Sequence, residues 1–292
     1  MKKKRKIPVS KIFVYFILAA IGFVYLYPVL YMIVNSFLSA GDLTDPSVTW
    51  IPTELCFDNF STAFETLDFF KSFGMSMLMS LIPAVLQTAV TAVVAYGLAR
   101  FHIPFKKVIL VLILITFLLP TQVMLVPRYV LFDTYHLTDT IWAQFLPALF
   151  GQGLNSAIFI FVYYSYFVSY PVVLDEAAEI DGAGKWKIFL KVSLPMAKGA
   201  IILSMLFSFV FYWNETYLSN TLWWGKIQTL PLKLQSFTLQ YEALYGKEAA
   251  GSISESVSLA GTLLSILPLL VMYLIFQRQF VESIESTGIT GE

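Results

Sequence analysis

Charge is what this sequence has least of. Only 13% of its 292 residues are Asp, Glu, Lys or Arg, about half the share of a soluble domain. With 58% hydrophobic residues and a mean hydropathy of +0.72, this scarcity excludes an ordinary soluble domain and points to a chain that crosses a membrane repeatedly. Cysteine is nearly absent: Cys56 stands alone, which excludes an intrachain disulfide. The two histidines, His102 and His136, lie far apart without cysteine or HExxH company, so no metal centre is expected and both read as loop or interface residues. A phosphate-cradling G-x-x-x-x-G-K-[ST] loop is missing too. Gly184-Lys185 comes nearest, but Glu179 occupies the first glycine position and Trp186 follows the lysine, so the chain is not expected to bind or hydrolyse ATP. No Ser/His/Asp set or catalytic carboxylate pair is evident, and the chain does not read as an enzyme.

What is present is long uncharged runs. Ile12–Phe37, Ser72–Ala99, Val108–Pro127, Thr140–Leu174 and Ser256–Gln277 contain no charge, and Ala200–Trp224 is broken only by Glu215. A helix needs about 20 apolar residues to cross the hydrocarbon core, so six spans are expected in an all-α polytopic membrane protein. The run Thr140–Leu174 exceeds one crossing, and a bend or excursion is expected around Pro147 and Gly151–Gly153. Pro83, Pro120, Pro127 and Pro268 are candidate bends within or at the ends of spans. Aromatic residues reach 16%, as suits lipid-facing surface and interfacial belts.

The basic start, Lys2-Lys3-Lys4-Arg5-Lys6, resembles the n-region of a signal peptide. The apolar run after it is too long for an h-region and no clear cleavage site follows, so it is expected to remain as the first span. Placing both termini in the cytoplasm puts fourteen of the 19 Lys and Arg residues on that side and leaves Lys71, Arg128, Lys226, Lys233 and Lys247 outside, in accord with the positive-inside rule. The organisation follows: a cytoplasmic basic segment 1–11, a first span 12–37, an outer loop 38–71, a core 72–278 with an outer loop 225–255, and a cytoplasmic tail 279–292. The loop 38–71 carries Asp42, Asp45, Glu54, Asp58, Glu65 and Asp68 against one lysine, and can meet an external partner or serve as a solvated connector.

The cytoplasmic segment 175–195 holds the most informative pattern. Asp175 is a plausible N-cap, and Asp175, Glu176 and Glu179 favour a helix start. Ala177 and Ala178 give the helix a small, smooth side suited to docking in a groove. Gly182 and Gly184 permit a sharp turn after Asp181. A second amphipathic stretch, Lys185–Val192, is expected at the membrane surface with Trp186 and Phe189 inward, and Leu194-Pro195 closes the loop.

This segment resembles the EAA loop of ABC importer permeases, in which EAA is followed by three residues, glycine, nine residues and Ile-x-Leu-Pro. Glu176-Ala177-Ala178, Gly182 and Val192-Ser193-Leu194-Pro195 match it, with valine for isoleucine the sole departure. Six spans, Trp213-Asn214-Glu215 in the fifth, Thr229-Leu230-Pro231 beyond it, and Gln277-Arg278-Gln279-Phe280-Val281 before a glycine-containing tail, Gly288 to Glu292, look like maltose-type sugar permeases along nearly the whole chain. The tail departs from the more usual lysine-glycine ending.

The resemblance implies a type I ABC importer permease fold in a bacterial inner membrane. It implies a loop, carried by Asp175, Glu176, Ala177, Ala178, Glu179, Asp181, Gly182, Leu194 and Pro195, that couples to an ATPase, with ATP and Mg on that partner and no cofactor on this chain. It also implies a second permease subunit, an ATPase dimer, an extracytoplasmic solute-binding protein and membrane lipid as partners; nucleic acid is not one. Trp213, Asn214 and Glu215 are candidates for a solute path, and Trp213, Trp223 and Trp224 are compatible with sugar stacking. Two rival classes remain at this stage. An ion-coupled secondary transporter usually carries ionisable residues within its spans, where this chain has only Glu215. A structural membrane protein needs no EAA loop.

Overall fold

A computed structural model describes residues 9–247 and 255–288, with side chains described for 11–247 and 255–279. The basic segment Lys2–Lys6, residues 248–254 of the second outer loop and the tail beyond Gly288 lie outside the described residues. Among the described residues all regular structure is helical: α1 Val9–Asn35, α2 Ala40–Thr44, α3 Asp58–Thr66, α4 Phe69–Arg100, α5 Lys106–Leu118, α6 Thr121–Thr134, α7 Trp142–Leu149, α8 Ser156–Ser169, α9 Val173–Ile180, α10 Lys185–Ile188, a π turn Phe189–Ser193, α11 Leu194–Met196, α12 Lys198–Asn214, α13 Tyr217–Trp223, α14 Leu230–Gln235, α15 Phe237–Tyr245 and α16 Glu255–Gly288.

Among the described residues three helices are long and apolar enough to cross a membrane alone: α1, α4 and the first part of α16. Three bent pairs bring the number to as many as six: α5 with α6 (98°), α8 with α9 (73°), and Lys185–Met196 with α12 (79°). The uncharged run Val108–Pro127 bends at Pro120, one of the candidate prolines. Pro120 has no N–H to continue α5 and holds Leu119 extended (φ −72°, ψ 122°), so the chain turns there. The expected bend in Thr140–Leu174 is present: α7 ends before Gly151, whose φ of +70° suits glycine, and α8 begins at Ser156.

The chain divides into two units, 1–69 with 234–268, and 70–233 with 269–292. In the first, α1 buries none of its membrane-length window, so its apolar surface is left for lipid or another membrane chain. The segment after α1 is ordered by short helices. Asn59 Nδ2 donates to the carbonyls of Ser36 (3.0 Å) and Leu38 (2.9 Å), and Tyr245 of α15 donates to Glu65 of α3 at 2.6 Å. Ser39 and Asp42 form a capping box on α2, and Thr53 donates to Asp42.

In the second unit one cluster joins α4, α8, the π turn and α12 through Ala92, Ala95, Tyr96, Tyr163, Phe167, Phe189, Ala197 and Ala200. Small residues let these helices approach closely, as expected where lipid supplies no hydrophobic drive between helices. A second cluster joins α4, α6, α7 and α13 through Met79, Phe132, Phe145, Leu222 and Trp223.

Candidate coupling site and neighbouring cavity

The EAA segment folds as a short helix and a closed turn. α9 spans Val173–Ile180 with Asp175 and Glu176 in its first turn, where carboxylates suit the helix dipole. Asp175 is not the N-cap that its sequence position suggested. Val172 holds that place in a helical conformation without a side-chain cap, and Asp175 turns into the protein. The C-terminus is closed by a Schellman motif. Gly182 takes φ +77°, the Gly182 N–H donates to Glu179 O (3.0 Å), and the Ala183 N–H donates to Ala178 O (2.9 Å). Gly184 plays a different part: it sits extended (φ −70°, ψ 160°) as the N-cap of α10.

Asp175 is the one buried residue of α9. Its Oδ2 lies 3.2 Å from Arg100 Nε in an ion pair whose two side chains are each 9% exposed. Arg100, the last residue of α4, also donates from Nη2 to the Tyr170 carbonyl (2.9 Å) and lies 3.9 Å from the Tyr170 ring centroid. The Tyr170 hydroxyl donates to Asp175 Oδ1, and Ser193 Oγ of the π turn lies 2.7 Å from that hydroxyl.

The rest of α9 faces outward. Glu176 and Ala177 are exposed, Ala178 is half-buried, and Val173, Ala177 and Ile180 recur at the i, i+4, i+7 spacing that forms one helical stripe. Ile180 is 87% exposed. Glu179 pairs with Lys185 across the turn, and Asp181 is the exposed C-cap. That partner holds the Lys185 ammonium above its ordinary range. Trp186 does not point inward as expected. It is 67% exposed, with Phe189 buried beside it at 5.9 Å between ring centroids. Pro195 cannot donate to a carbonyl one turn back, and the helix accommodates it by widening: the Leu194 N–H reaches Phe189 O, an i to i−5 bond. Leu194 is half-buried and Pro195 exposed.

The solute-path candidates are placed less uniformly. Trp213 is 2% exposed, packed on Phe209 (5.7 Å) and Phe73 (6.3 Å). Asn214 is exposed at the end of α12 and donates to Val210 O (3.0 Å). Glu215 is not within a continuous helix; it ends α12, and its carboxylate accepts the N–H groups of Leu218 (2.7 Å) and Ser219 (2.8 Å) at the start of α13. Of the other tryptophans, Trp223 is buried and Trp224 is exposed.

Glu215 also lines a cavity of about 20 Å³ with Arg128, Gln144, Gly153, Tyr212 and Trp223, room for roughly one water. Behind it, Gln87 donates to Leu154 O (2.7 Å) and accepts from Tyr212 (2.6 Å). A Cβ on Gly153 would collide with both Gln87 Oε1 and Tyr212 Oη, so any larger residue there would have to displace that hydrogen-bonded pair. Sequence reading counted Arg128 only as an outer charge and missed Gln87 altogether; a lone glutamine within an apolar run was the available signal for the latter. Among the described residues no group of His, Cys, Asp and Glu could hold a metal ion.

These features define a class: a polytopic helical membrane component that presents a short, anchored helix between two bent spans. Residues 91–284 match the family model described as "Binding-protein-dependent transport system inner membrane component". The chain belongs to that family. It is similar to the arabinooligosaccharides transport system permease protein AraQ of Halalkalibacterium halodurans (27% identity, 94% of each chain) and to the lactose transport system permease protein LacG of Rhizobium radiobacter (26%, 96% of each). Among solved structures it resembles a chain of a bacterial ABC transporter involved in import of the acidic polysaccharide alginate, with TM-score 0.79 and 23% identity over 93% of this chain and 96% of that one. That likeness concerns the fold, an importer permease of type I. The protein is thus a permease subunit, a transport component and not an enzyme.

Proposed function

We propose that the chain imports a carbohydrate across a bacterial inner membrane as one half of a permease heterodimer, driven by an ATPase dimer that holds ATP and Mg and fed by an extracytoplasmic solute-binding protein. The single observation that carries the mechanism is α9: one side chain rooted in the protein and an exposed stripe of Val173, Ala177 and Ile180 beside Glu176. That geometry suits docking into a groove of a soluble partner.

The mechanism follows from the anchoring. A partner that closes on ATP displaces α9, and the displacement is resisted at Gly182, Leu194 and Pro195 and passed to the spans, which alternate between outward and inward access. Both termini are cytoplasmic in this reading, as the charge distribution supports. Sugar cargo is supported by the relatives' names along nearly the full chain. Asn214 and Glu215 remain the candidates on this chain for the solute path; Trp213, being buried, would support them from behind.

The test is purification of the chain with its native partners in mild detergent, followed by ATP-driven uptake in proteoliposomes. Oligosaccharide uptake that needs the co-purifying binding protein is expected. A binding protein that recognises only amino acids or peptides would overturn the sugar assignment.

A further inference from the structure

We infer that Tyr170 and Ser193 are positioning residues for coupling: with Arg100 and Asp175 they tie the end of α4, the start of α9 and the π turn ahead of α12 into one buried node. The inference rests on the reading of α9 as the ATPase-facing helix.

Four observations carry it. Asp175 is the only side chain that α9 buries, so its one buried attachment to the protein body is this carboxylate, the Glu179–Lys185 pair across the turn being exposed. Both carboxylate oxygens are engaged, Oδ2 by Arg100 and Oδ1 by Tyr170. Tyr170 has a single hydroxyl proton and gives it to Asp175, so Ser193, fully buried, is the donor to Tyr170; the bonds run from Ser193 to Tyr170 to Asp175. Around them Tyr96, Phe167 and Phe189 close an aromatic shell, with Tyr96 centroids 5.4 and 4.9 Å from those of the two phenylalanines. Water has little access, and in such surroundings polar bonds are directional and costly to break.

The consequence is mechanical. A push on α9 meets no soft side-chain layer. It loads Arg100, and with it the whole of α4, and loads Ser193, which sits in the widened turn that leads through Pro195 into α12. Removing the Tyr170 hydroxyl or the Ser193 hydroxyl severs the branch to α12, while the Arg100–Asp175 pair and the ring beneath the guanidinium persist.

The experiment uses the assembled transporter, reconstituted with its ATPase and binding protein. It compares Tyr170→Phe, Ser193→Ala and the double variant by solute imported per ATP hydrolysed. Each single variant is expected to assemble and hydrolyse ATP, with transport per ATP lowered roughly 2- to 30-fold. The double variant should lose less than the two single losses combined, because both variants break the same Ser193–Tyr170 bond, although Ser193→Ala also removes the hydroxyl that pairs with Tyr96. Ser193→Ala keeps the test alive if Tyr170→Phe fails to assemble. Wild-type transport per ATP in the assembled variants, or additive losses that merely track lost assembly, would overturn the inference. Glu176→Lys in the same preparation separates the two levels. If it abolishes transport while the node variants do not, only the node fails; if it too transports normally, the reading of α9 fails.

Discussion

Asp175 and Arg100 stand 75 positions apart in sequence yet meet at 3.2 Å, an ion pair between the first turn of α9 and the last residue of α4. Removing one member leaves the other buried without its partner, which costs about 3–5 kcal/mol. Asp175→Ala should therefore lower the thermal stability of the purified complex markedly. Arg100→Met with Asp175→Leu should cost less than the sum of the two single changes. Additive losses in a thermal-shift series would argue that the pair is not coupled.

Gly182 is required by its backbone alone, since φ is +77° and a Cβ there would meet nothing within 4 Å. Gly182→Ala should cost about 1–2 kcal/mol locally for the left-handed conformation and leave appreciable transport. Gly182→Pro fixes φ near −65° and removes the N–H that donates to Glu179. It should abolish transport while the chain still inserts in the membrane, as judged by its level in washed membranes. Equal transport by the two variants would contradict the Schellman closure as the reason for this glycine.

Glu215 divides a structural role from a transport role. Its carboxylate caps two N–H groups of α13, and Glu215→Ala should lose about 0.5–2 kcal/mol of stability, the range for helix caps. Glu215→Gln keeps one oxygen acceptor and should come close to wild-type stability. If Glu215→Gln is stable and transports normally, the residue is a cap; if it is stable and inactive, its charge serves the solute path.

The segment around α2 should loosen in acid. Hydrogen bonds from Thr53, then from Ser39, hold the Asp42 carboxyl below its ordinary value of 3.8. A lowered folded-state pKa means the stabilisation is complete above that ordinary value and is lost as pH falls through the folded one. The protection of amides 39–45 relative to their intrinsic exchange rate at each pH should fall below about pH 4, and Thr53→Val should move the onset to higher pH. Protection that is unchanged between pH 7 and pH 3 would contradict the assignment.

Much of this was legible from local pattern. The uncharged runs gave the helical class, and the spacing from Glu176 to Pro195 marked the loop because a helix, a glycine turn and a proline each leave a short-range signature. Partnerships over long separations left none. Arg100 looked like one more cytoplasmic cation, and Tyr170 like the end of an apolar run, because an ion pair and its aromatic seat depend on where α4 and α9 meet. Asp175 was misread as a cap for the same reason, since helix-start statistics favour that role until a buried arginine outbids it. The amphipathic pattern of Lys185–Val192 points both Trp186 and Phe189 inward, and only Phe189 is buried. Glu215 broke an apolar run, which sequence can show; that its carboxylate starts a new helix requires the bend itself.

The most direct measurement is site-specific cross-linking from α9. In a Cys56→Ser background, Ala177→Cys is placed in the native complex and treated with a short bifunctional thiol reagent. The account predicts a cross-link to a P-loop ATPase whose yield changes when ATP is bound, together with recovery of a second six-span permease. A chain that transports on an ion gradient alone, with no ATPase captured from any position of α9, would contradict it.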